Sequence, residues 1–205
     1  MMVKGPIVAF ALLALLAGAS SVASAQSGGM SGHSMHMGPE IVIPKGARYT
    51  KADVEFMQGM IAHHAQAIVM SRMAEANGAN PQVLKLSRKI DQSQVPEIQI
   101  MQEWLRRYKQ FAPDTSSWQH MQMDGMLTTA QLKELETSKG VDFDRAFLRY
   151  MIMHHEGALK MVDDLFASPL AGQEVDVSVF ANDVVTAQTG EIGIMRRLLT
   201  QLPPK

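Results

Sequence analysis

The chain of 205 residues contains no cysteine, and this absence removes several kinds of chemistry at once. Without a thiol there is no disulfide, no thiolate metal ligand and no thiol nucleophile. The sequence contains 17 methionines instead. Any metal-ligating side chain must therefore be a thioether, an imidazole or a carboxylate.

An excess of charge of either sign is also missing, because 19 Lys and Arg stand against 20 Asp and Glu. No basic stripe interrupts this balance, so the sequence predicts no nucleic-acid partner. The apolar content of 46% is ordinary for one well-filled soluble domain.

The motifs of several enzyme classes are absent. No nucleophile elbow, phosphate-binding loop or His-Glu-x-x-His motif occurs, which argues against a hydrolase. No glutamate has a histidine three residues later, so the Glu-x-x-His pairs of ferritin-like di-iron oxidases are missing as well. The sequence therefore predicts a protein that is not an enzyme.

The first 25 residues have the pattern of a secretory signal peptide. Lys4 gives a positive start, residues 7–17 are apolar, and Ala23-Ser24-Ala25 provides small residues for cleavage. The apolar run is too short to span a membrane, and no cysteine offers a site for lipid attachment. We therefore expect a periplasmic or secreted protein with no membrane anchor after cleavage.

A polar leader follows over residues 26–49, in which His33 and His36 lie near three methionines among Ser and Gly. Such a segment has too few apolar side chains to form a core and is expected to be flexible. It is either a linker in which these residues happen to cluster or a metal-capturing arm, because short His-rich tracts bind metals. His33 and His36 are its candidate ligands.

An internal repeat is the most informative feature of the chain. The pattern Asp-x-x-Phe-x-x-x-Met-Ile-x-His-His-x-x-Ala-x-x-Met occupies residues 53–70 and returns with every spacing kept at residues 144–161. A second pattern, Gln-x-x-Glu-Ile-x-Ile-Met, occupies residues 94–101 and returns at residues 188–195. The duplicated His-His pairs are therefore the first candidates for a functional site.

Capping signals divide the first repeat, about residues 50–111, into two helices. Thr50-x-x-Asp53 resembles a capping box, Gly78 is a fitting stop, and Asn80-Pro81 begins the second helix. The connection that follows, residues 112–141, contains a short helix opened by Thr128-x-x-Gln131.

The second repeat, about residues 142–202, has the same design. Asp142 and Asp176 are the predicted N-caps of its two helices, and Ser168-Pro169 ends the first of them. Two helical hairpins with a short extra helix between them predict an all-α four-helix bundle.

Helical spacing places polar residues on the core-facing seams. In the first hairpin His63 shares a seam with Met60, one turn away, whereas His64 lies on the flank. Counting from the turn makes Gln94 and Glu97 level with His63. The corresponding residues of the second hairpin are Met151, His154, His155, Gln188 and Glu191. Each hairpin is therefore predicted to hold an inward histidine opposite an inward glutamate.

Two interpretations of this polar core are open. Buried His, Glu and Gln side chains among gap-filling methionines are consistent with a structural network, as in a metal-free interaction or assembly bundle. They are equally the ligands of a metal site. The duplication of the whole set favours the metal site.

The two His-His blocks and the Gln-x-x-Glu-Ile segments after them resemble the domain-of-unknown-function 305 family, over roughly residues 50–202. The resemblance implies a ferritin-like four-helix bundle that binds copper outside the cytoplasm, and it implies no established reaction. By motif match it also implies a set of candidate metal ligands: Met60, His63, His64, Met70, Glu97, Met101, Met151, His154, His155, Met161, Glu191 and Met195.

The chemistry of these side chains supports copper. Thioethers favour Cu(I), imidazole binds both Cu(I) and Cu(II), and methionine persists in compartments where thiols form disulfides. We therefore predict a protein that sequesters or delivers copper and contributes to metal tolerance. Its expected partners are the metal ion and other exported copper-handling proteins.

The connection contains a further group of candidate residues, His120-Met121-x-Met123-x-x-Met126. It is either a dedicated metal site or a methionine-lined surface that packs on the bundle. The packing role is preferred.

Overall fold

A computed structural model describes residues 1–2 and 38–204. Residues 3–37, which contain nearly all of the predicted signal peptide and the first half of the leader with His33 and His36, lie outside the described residues. The helices are α1 (Lys51–Ala76), α2 (Pro81–Arg107), α3 (Thr129–Thr137), α4 (Gly140–Ala167) and α5 (Val175–Gln201). No strand occurs in the described parts of the chain, which confirms the all-α prediction. None of the helices described is both long and apolar enough to cross a membrane.

Four of these helices form the bundle. α1 packs on α2 as one hairpin, α4 packs on α5 as the other, and α1 lies against α4 between the hairpins. The short α3 belongs to the connection and contacts both α1 and α4. The predicted bundle of two hairpins with a short extra helix is confirmed.

The two helices of the first hairpin have the capping residues that the sequence predicted. The Thr50 hydroxyl accepts a hydrogen bond from the Asp53 N–H at 3.2 Å, and the Thr50 N–H donates to the Asp53 carboxylate at 2.7 Å. After α1, Gly78 adopts a φ of +68°, which a residue with a side chain rarely takes. The Asn80 side chain then caps α2, ahead of Pro81.

The ends of α2 and α4 differ from the prediction. α2 ends at Arg107 rather than near residue 111, and α4 begins at Gly140, so Asp142 lies inside the helix instead of capping it. Lys139 occupies the N-cap position and makes no side-chain capping bond. The Gly140 N–H instead donates to the Asn77 carbonyl at 2.9 Å. A contact with the first hairpin therefore fixes where α4 starts.

The predicted cap of α5 was also wrong, because Glu174 rather than Asp176 caps this helix. The Glu174 carboxylate accepts the Val177 N–H at 3.0 Å. It also accepts hydrogen bonds from the Trp104 indole at 2.9 Å and the Tyr108 hydroxyl at 3.1 Å. Contacts with α2 thus select the capping residue, and local sequence does not contain that information.

The described end of the predicted leader, residues 38–49, packs on the bundle. Ile41 and Ile43 contact the apolar core, and the buried Tyr49 ring lies 5.5 Å from the Trp104 ring, centroid to centroid. These apolar side chains cover the end of the bundle at which α1 begins.

The matching aspartates of the two repeats hold the hairpins together. Buried Asp53, near the start of α1, accepts the Gly172 N–H of the second hairpin's turn at 2.7 Å. Buried Asp144, near the start of α4, accepts both the backbone N–H (3.1 Å) and the side-chain amide (2.7 Å) of Asn80. Each repeat therefore secures the turn of the other.

Two apolar cores fill the bundle, one at each end. The first contains the start of α1 and the end of α2, with residues such as Phe56 and Trp104. The second contains the end of α1 and the start of α2, with residues such as Ala74 and Val83. The end of α4 and the start of α5 belong to the first core, whereas the start of α4 and the end of α5 belong to the second. The repeated polar residues lie between the two cores.

Replacing Asp53 by Ala should lower the free energy of unfolding by about 2–4 kcal/mol, since it removes the carboxylate that accepts the Thr50 N–H in the capping box and leaves the buried Gly172 N–H without its acceptor. Asp144→Ala should have an effect of the same order. The exposed Asp163→Ala is the matched control, with an expected change within about 0.5 kcal/mol. Urea unfolding measures the stability of all three variants. Equal losses of stability in Asp53→Ala and Asp163→Ala would contradict the proposed role of Asp53 in joining the two hairpins.

Candidate metal centre

Four histidines meet in the layer between the two apolar cores. His63, His64, His154 and His155 are each at most 1% exposed. The rings of His63 and His154, which occupy the same position in the two repeats, lie 3.8 Å apart from centroid to centroid. The duplicated histidines thus form one cluster across the contact between α1 and α4.

The partners of the glutamates differ from the prediction. Glu97 was expected opposite His63, but its carboxylate lies 2.8 Å from Nε2 of His64. In the second hairpin the Glu191 carboxylate likewise lies 2.8 Å from Nε2 of His155, and His154 makes no hydrogen bond to it. His64 and His155 are also fully buried, although the sequence placed them on the flank.

Helix geometry explains the correction. Consecutive residues of a helix point about 100° apart, so two adjacent histidines can both face the interior and reach different neighbours. His63 faces the other hairpin and His154, whereas His64 faces α2 and Glu97 of its own hairpin. A seam analysis of one helix at a time cannot distinguish these directions.

His63 is held by the backbone of the connection. Its Nε2 lies 3.2 Å from the carbonyl oxygen of Asp124. A carbonyl oxygen only accepts hydrogen bonds, so this nitrogen carries the proton and Nδ1 of the neutral ring keeps its lone pair. That Nδ1 is buried and has no hydrogen-bond partner.

The other three histidines also have at least one ring nitrogen without a hydrogen-bond partner. His64 and His155 direct Nε2 at a carboxylate, which accepts the proton, and Nδ1 of each is buried without a partner. Neither ring nitrogen of His154 makes a hydrogen bond. The cluster therefore presents several buried imidazole nitrogens that have no hydrogen-bond partner.

Burial keeps the central pair neutral. Loss of hydration, followed by the nearby His64, lowers the pKa of His63 to about 3, and the Asp124 carbonyl opposes this only in part. Burial and then the neighbouring His63 lower the pKa of His154 well below its ordinary value. Both rings are therefore unprotonated at neutral pH, the form in which imidazole binds metals.

The two glutamates have different surroundings. The Glu191 side chain is 3% exposed and also pairs with Lys89 at 3.2 Å, whereas the Glu97 side chain is 25% exposed. Burial alone would raise the pKa of Glu191, but His155 and Lys89 together hold it below its ordinary value. The second carboxylate is thus both more enclosed and better neutralised.

The remaining predicted residues surround this layer. Met60 and Met101 are fully buried in the first core, and Met70, Met151 and Met195 are fully buried in the second. Met161 is partly buried at the edge of the first core. Gln94 and Gln188 are buried, as their seam positions predicted, and the carbonyl oxygen of each side chain has no hydrogen-bond partner.

Nitrogen and oxygen side chains form no preassembled metal site in the described part of the chain. Within residues 1–2 and 38–204, no group of three or more His, Asp or Glu side chains is arranged to hold a metal ion. The remaining candidate donors are one or two imidazoles together with methionine sulfur, such as that of Met60, one helical turn from His63. This ligand set suits soft, low-coordinate ions better than zinc or a di-iron pair.

Sequence reasoning missed the part of the connection that touches the cluster. Met121 and Met126 are buried, in agreement with the preferred packing role. The Asp124 carbonyl, however, contacts His63 directly. Gly125 and Gly157 were the available signal, because two glycines at a crossing allow backbones to approach closely.

Acidification should destabilise the metal-free protein between about pH 6.5 and pH 3. In that interval the unfolded chain protonates a histidine of ordinary pKa, while His63, with a pKa of about 3, stays neutral in the folded state. The unfolded state then binds more protons, and each such histidine adds a slope of at most about 1.4 kcal/mol per pH unit. Urea unfolding at a series of pH values measures this slope.

The control for this prediction is a pair of variants. His63→Leu with His154→Leu should flatten the slope, whereas His120→Ala, at an exposed position, should leave it unchanged. The comparison belongs between about pH 6.5 and 5, because Glu191 adds a loss of the same sign nearer its ordinary pKa of 4.5. An unaltered slope in the double variant would contradict the assignment.

Comparison with known proteins places this geometry in context. The chain resembles the crystal structure of a DUF305 fragment from Deinococcus radiodurans, with 31% identity and a TM-score of 0.66 over 75% of this chain and 99% of that one. A Streptomyces coelicolor protein described as a secreted DUF305 protein matches with 29% identity and a TM-score of 0.64, over 73% and 93% of the two chains. No curated protein matches the sequence.

A third relative is a metal-binding protein. CopM in its Cu(I)-bound form is 29% identical, with a TM-score of 0.58 over 73% of this chain and 96% of that one. CopM is also known in Cu(II)-bound, silver-bound and apo forms. The family model of the domain of unknown function DUF305 matches residues 53–199, and the chain therefore belongs to the DUF305 family.

Proposed function

We propose that this protein binds copper ions outside the cytoplasm, at sites built on its buried histidines, and that it sequesters or delivers them. The observation that carries the proposal is the state of the imidazoles. Three of them give Nε2–H to a carboxylate or a carbonyl and leave Nδ1 buried with no partner.

This arrangement is typical of metal ligands. A histidine that binds a metal through one ring nitrogen usually donates its other N–H to a carboxylate or a backbone carbonyl, which fixes the tautomer. A purely structural network would leave these nitrogens unsatisfied, at a cost of about 1–3 kcal/mol each. The orphaned nitrogens therefore favour metal binding over the metal-free assembly bundle.

The donor set favours copper over other ions. Imidazole nitrogen next to buried thioethers suits Cu(I), and imidazole also accepts Cu(II). The relative CopM has been solved with both oxidation states of copper and with silver, whose monovalent ion resembles Cu(I). Met60 and Met151, one turn from His63 and His154, are the thioethers that would complete the site.

The glutamates have a supporting role in this proposal. Glu97 and Glu191 already engage Nε2 of His64 and His155, so they orient the rings and increase the basicity of Nδ1. The cargo is an ion that is held and released, and no reaction needs to be catalysed.

Copper binding by histidine and methionine is suited to a compartment outside the cytoplasm. The first 25 residues have a signal-peptide pattern, and the chain contains methionine where a cytoplasmic copper site would use cysteine. The Streptomyces relative described as secreted supports the same location.

His63→Leu with His154→Leu should weaken the tightest copper binding by at least about 100-fold, more than the loss usually caused by removing an outer partner of a ligand. Competitive titration with a chelator of known affinity, separately for Cu(I) and Cu(II), measures the change. Leucine keeps most of the buried volume, so circular dichroism should still report a helical protein.

His120→Ala is the matched control, because this histidine is exposed and outside the cluster. If the double variant binds copper like the parent protein while its stability changes, the histidines form a structural network and the metal-free bundle is the correct interpretation. A helical protein that has lost only copper binding supports the proposal.

Glu191→Gln should weaken copper binding by about 10-fold or more, and Glu97→Gln by less. Both substitutions keep a hydrogen-bond acceptor and remove only the charge. The charge matters more at Glu191, which is buried, than at Glu97, where water screens part of it. The same titration tests the order, and a larger effect at Glu97 would contradict it.

A further inference from the structure

The connection between the hairpins is seated on the bundle by close backbone contacts. A Cβ atom added at Gly157 would lie 2.0 Å from the Asp124 carbonyl oxygen, so no side chain fits there. One added at Gly125 would lie 2.6 Å from the Met153 carbonyl oxygen. The buried Gln66 amide side chain completes the attachment, with hydrogen bonds to both backbone groups of Leu127 at 2.7 and 3.1 Å.

These contacts of the connection bring Met123 next to Met161. From the position that a Cβ of Gly59 would occupy, the Met123 sulfur lies 3.1 Å away and the Met161 terminal methyl 3.3 Å away. The two thioether side chains thus share the space that Gly59 leaves on α1. Gly59 is four residues before His63, so this space opens on the same face of α1, one turn away.

The second repeat has no such space. Tyr150 stands where the first repeat has Gly59, and its hydroxyl donates to Glu134. Met70, the counterpart of Met161, is fully buried in the second core. The pair of thioethers is therefore specific to one end of an otherwise duplicated bundle.

The pair also differs from the histidine cluster in exposure. Met123 and Met161 are each partly exposed, whereas the four histidines are at most 1% exposed. Asp124 next to Met123 forms an ion pair with Lys160 at 3.2 Å, and both of these side chains are more than half exposed. This part of the connection therefore lies at the surface of the bundle, unlike the histidine cluster.

We propose that Met123 and Met161 form a separate, surface-accessible site for a soft monovalent ion, Cu(I) or Ag(I), beside the buried histidines. Two thioethers suit such an ion and discriminate against Zn²⁺ and other hard or borderline divalent ions. We expect this site to be the entrance to the histidine cluster, because the connection that supplies Met123 also contacts His63 through Asp124. This role rests on the proposed function, in which the histidines bind copper.

The test is an Ag(I) titration of the purified protein with ¹³C-labelled methionine methyl groups, followed by NMR. The resonances of Met123 and Met161, assigned by single Leu substitutions, should shift together. Met123→Leu with Met161→Leu should remove one equivalent of bound Ag(I) and slow Cu(I) loading of the histidines several-fold. Met126→Leu, a buried methionine of the same connection, is the matched control and should do neither.

Repeating the titration in the His63→Leu, His154→Leu background separates this site from the histidine cluster. Methyl shifts that persist there, and vanish when Met123 and Met161 are replaced, establish the site whether or not the histidines bind copper. An Ag(I) stoichiometry that is the same with and without the two methionines overturns the proposal, as does the absence of methyl shifts in both backgrounds.

Gly59→Ala provides a variant that should not harm folding. Alanine is the better helix former, and the atoms its Cβ would meet are the ends of two flexible side chains. Thermal stability of the metal-free protein should be kept or raised while Ag(I) binding at this site weakens. Unchanged Ag(I) binding in a stable Gly59→Ala protein would count against the shared site.

Discussion

The burial of a polar layer between two apolar cores is the constraint on which the rest of the structure depends. Four histidines, two glutamines and a glutamate are almost completely removed from water there. Such groups are stable inside a protein only if their charges are neutralised and their hydrogen bonds are made. The bundle meets the first condition by keeping the central imidazoles neutral and by pairing Glu191 with His155 and Lys89, but it leaves several ring nitrogens without a partner.

The unmet hydrogen bonds favour the proposed binding site over a purely structural network. A network that only fixes helix register gains from every additional hydrogen bond, so evolution toward stability would satisfy these nitrogens or replace them with apolar groups. The observed pattern instead fixes Nε2 of three histidines and frees Nδ1. Buried methionines on both sides add donors that are soft and cost little to bury.

The internal repeat explains the features that the two hairpins share. Sequence differences between the two repeats explain why the two ends of the polar layer differ. Both halves contain a buried aspartate that binds the turn of the other hairpin, and both contain a His-Glu pair. Lys89 pairs with the second glutamate, and the connection provides a hydrogen-bond acceptor to the first histidine. One end of the layer is thus enclosed and neutralised, while the other lies beside a partly exposed pair of thioethers. A duplicated bundle can in this way acquire two different ends without any change of fold.

The sequence by itself determined the helices, their pairing into hairpins and the burial of His63, His154 and Glu191, because helical periodicity, capping motifs and repeat spacing are local properties. It could not determine that Glu97 binds His64 rather than His63, since both histidines face inward and only the crossing of α1 with α2 and α4 selects the partner. It also missed Glu174 as a cap and Asp124 as the partner of His63. Those contacts join residues far apart in the chain, and only close packing of helices and connection brings them within hydrogen-bonding distance.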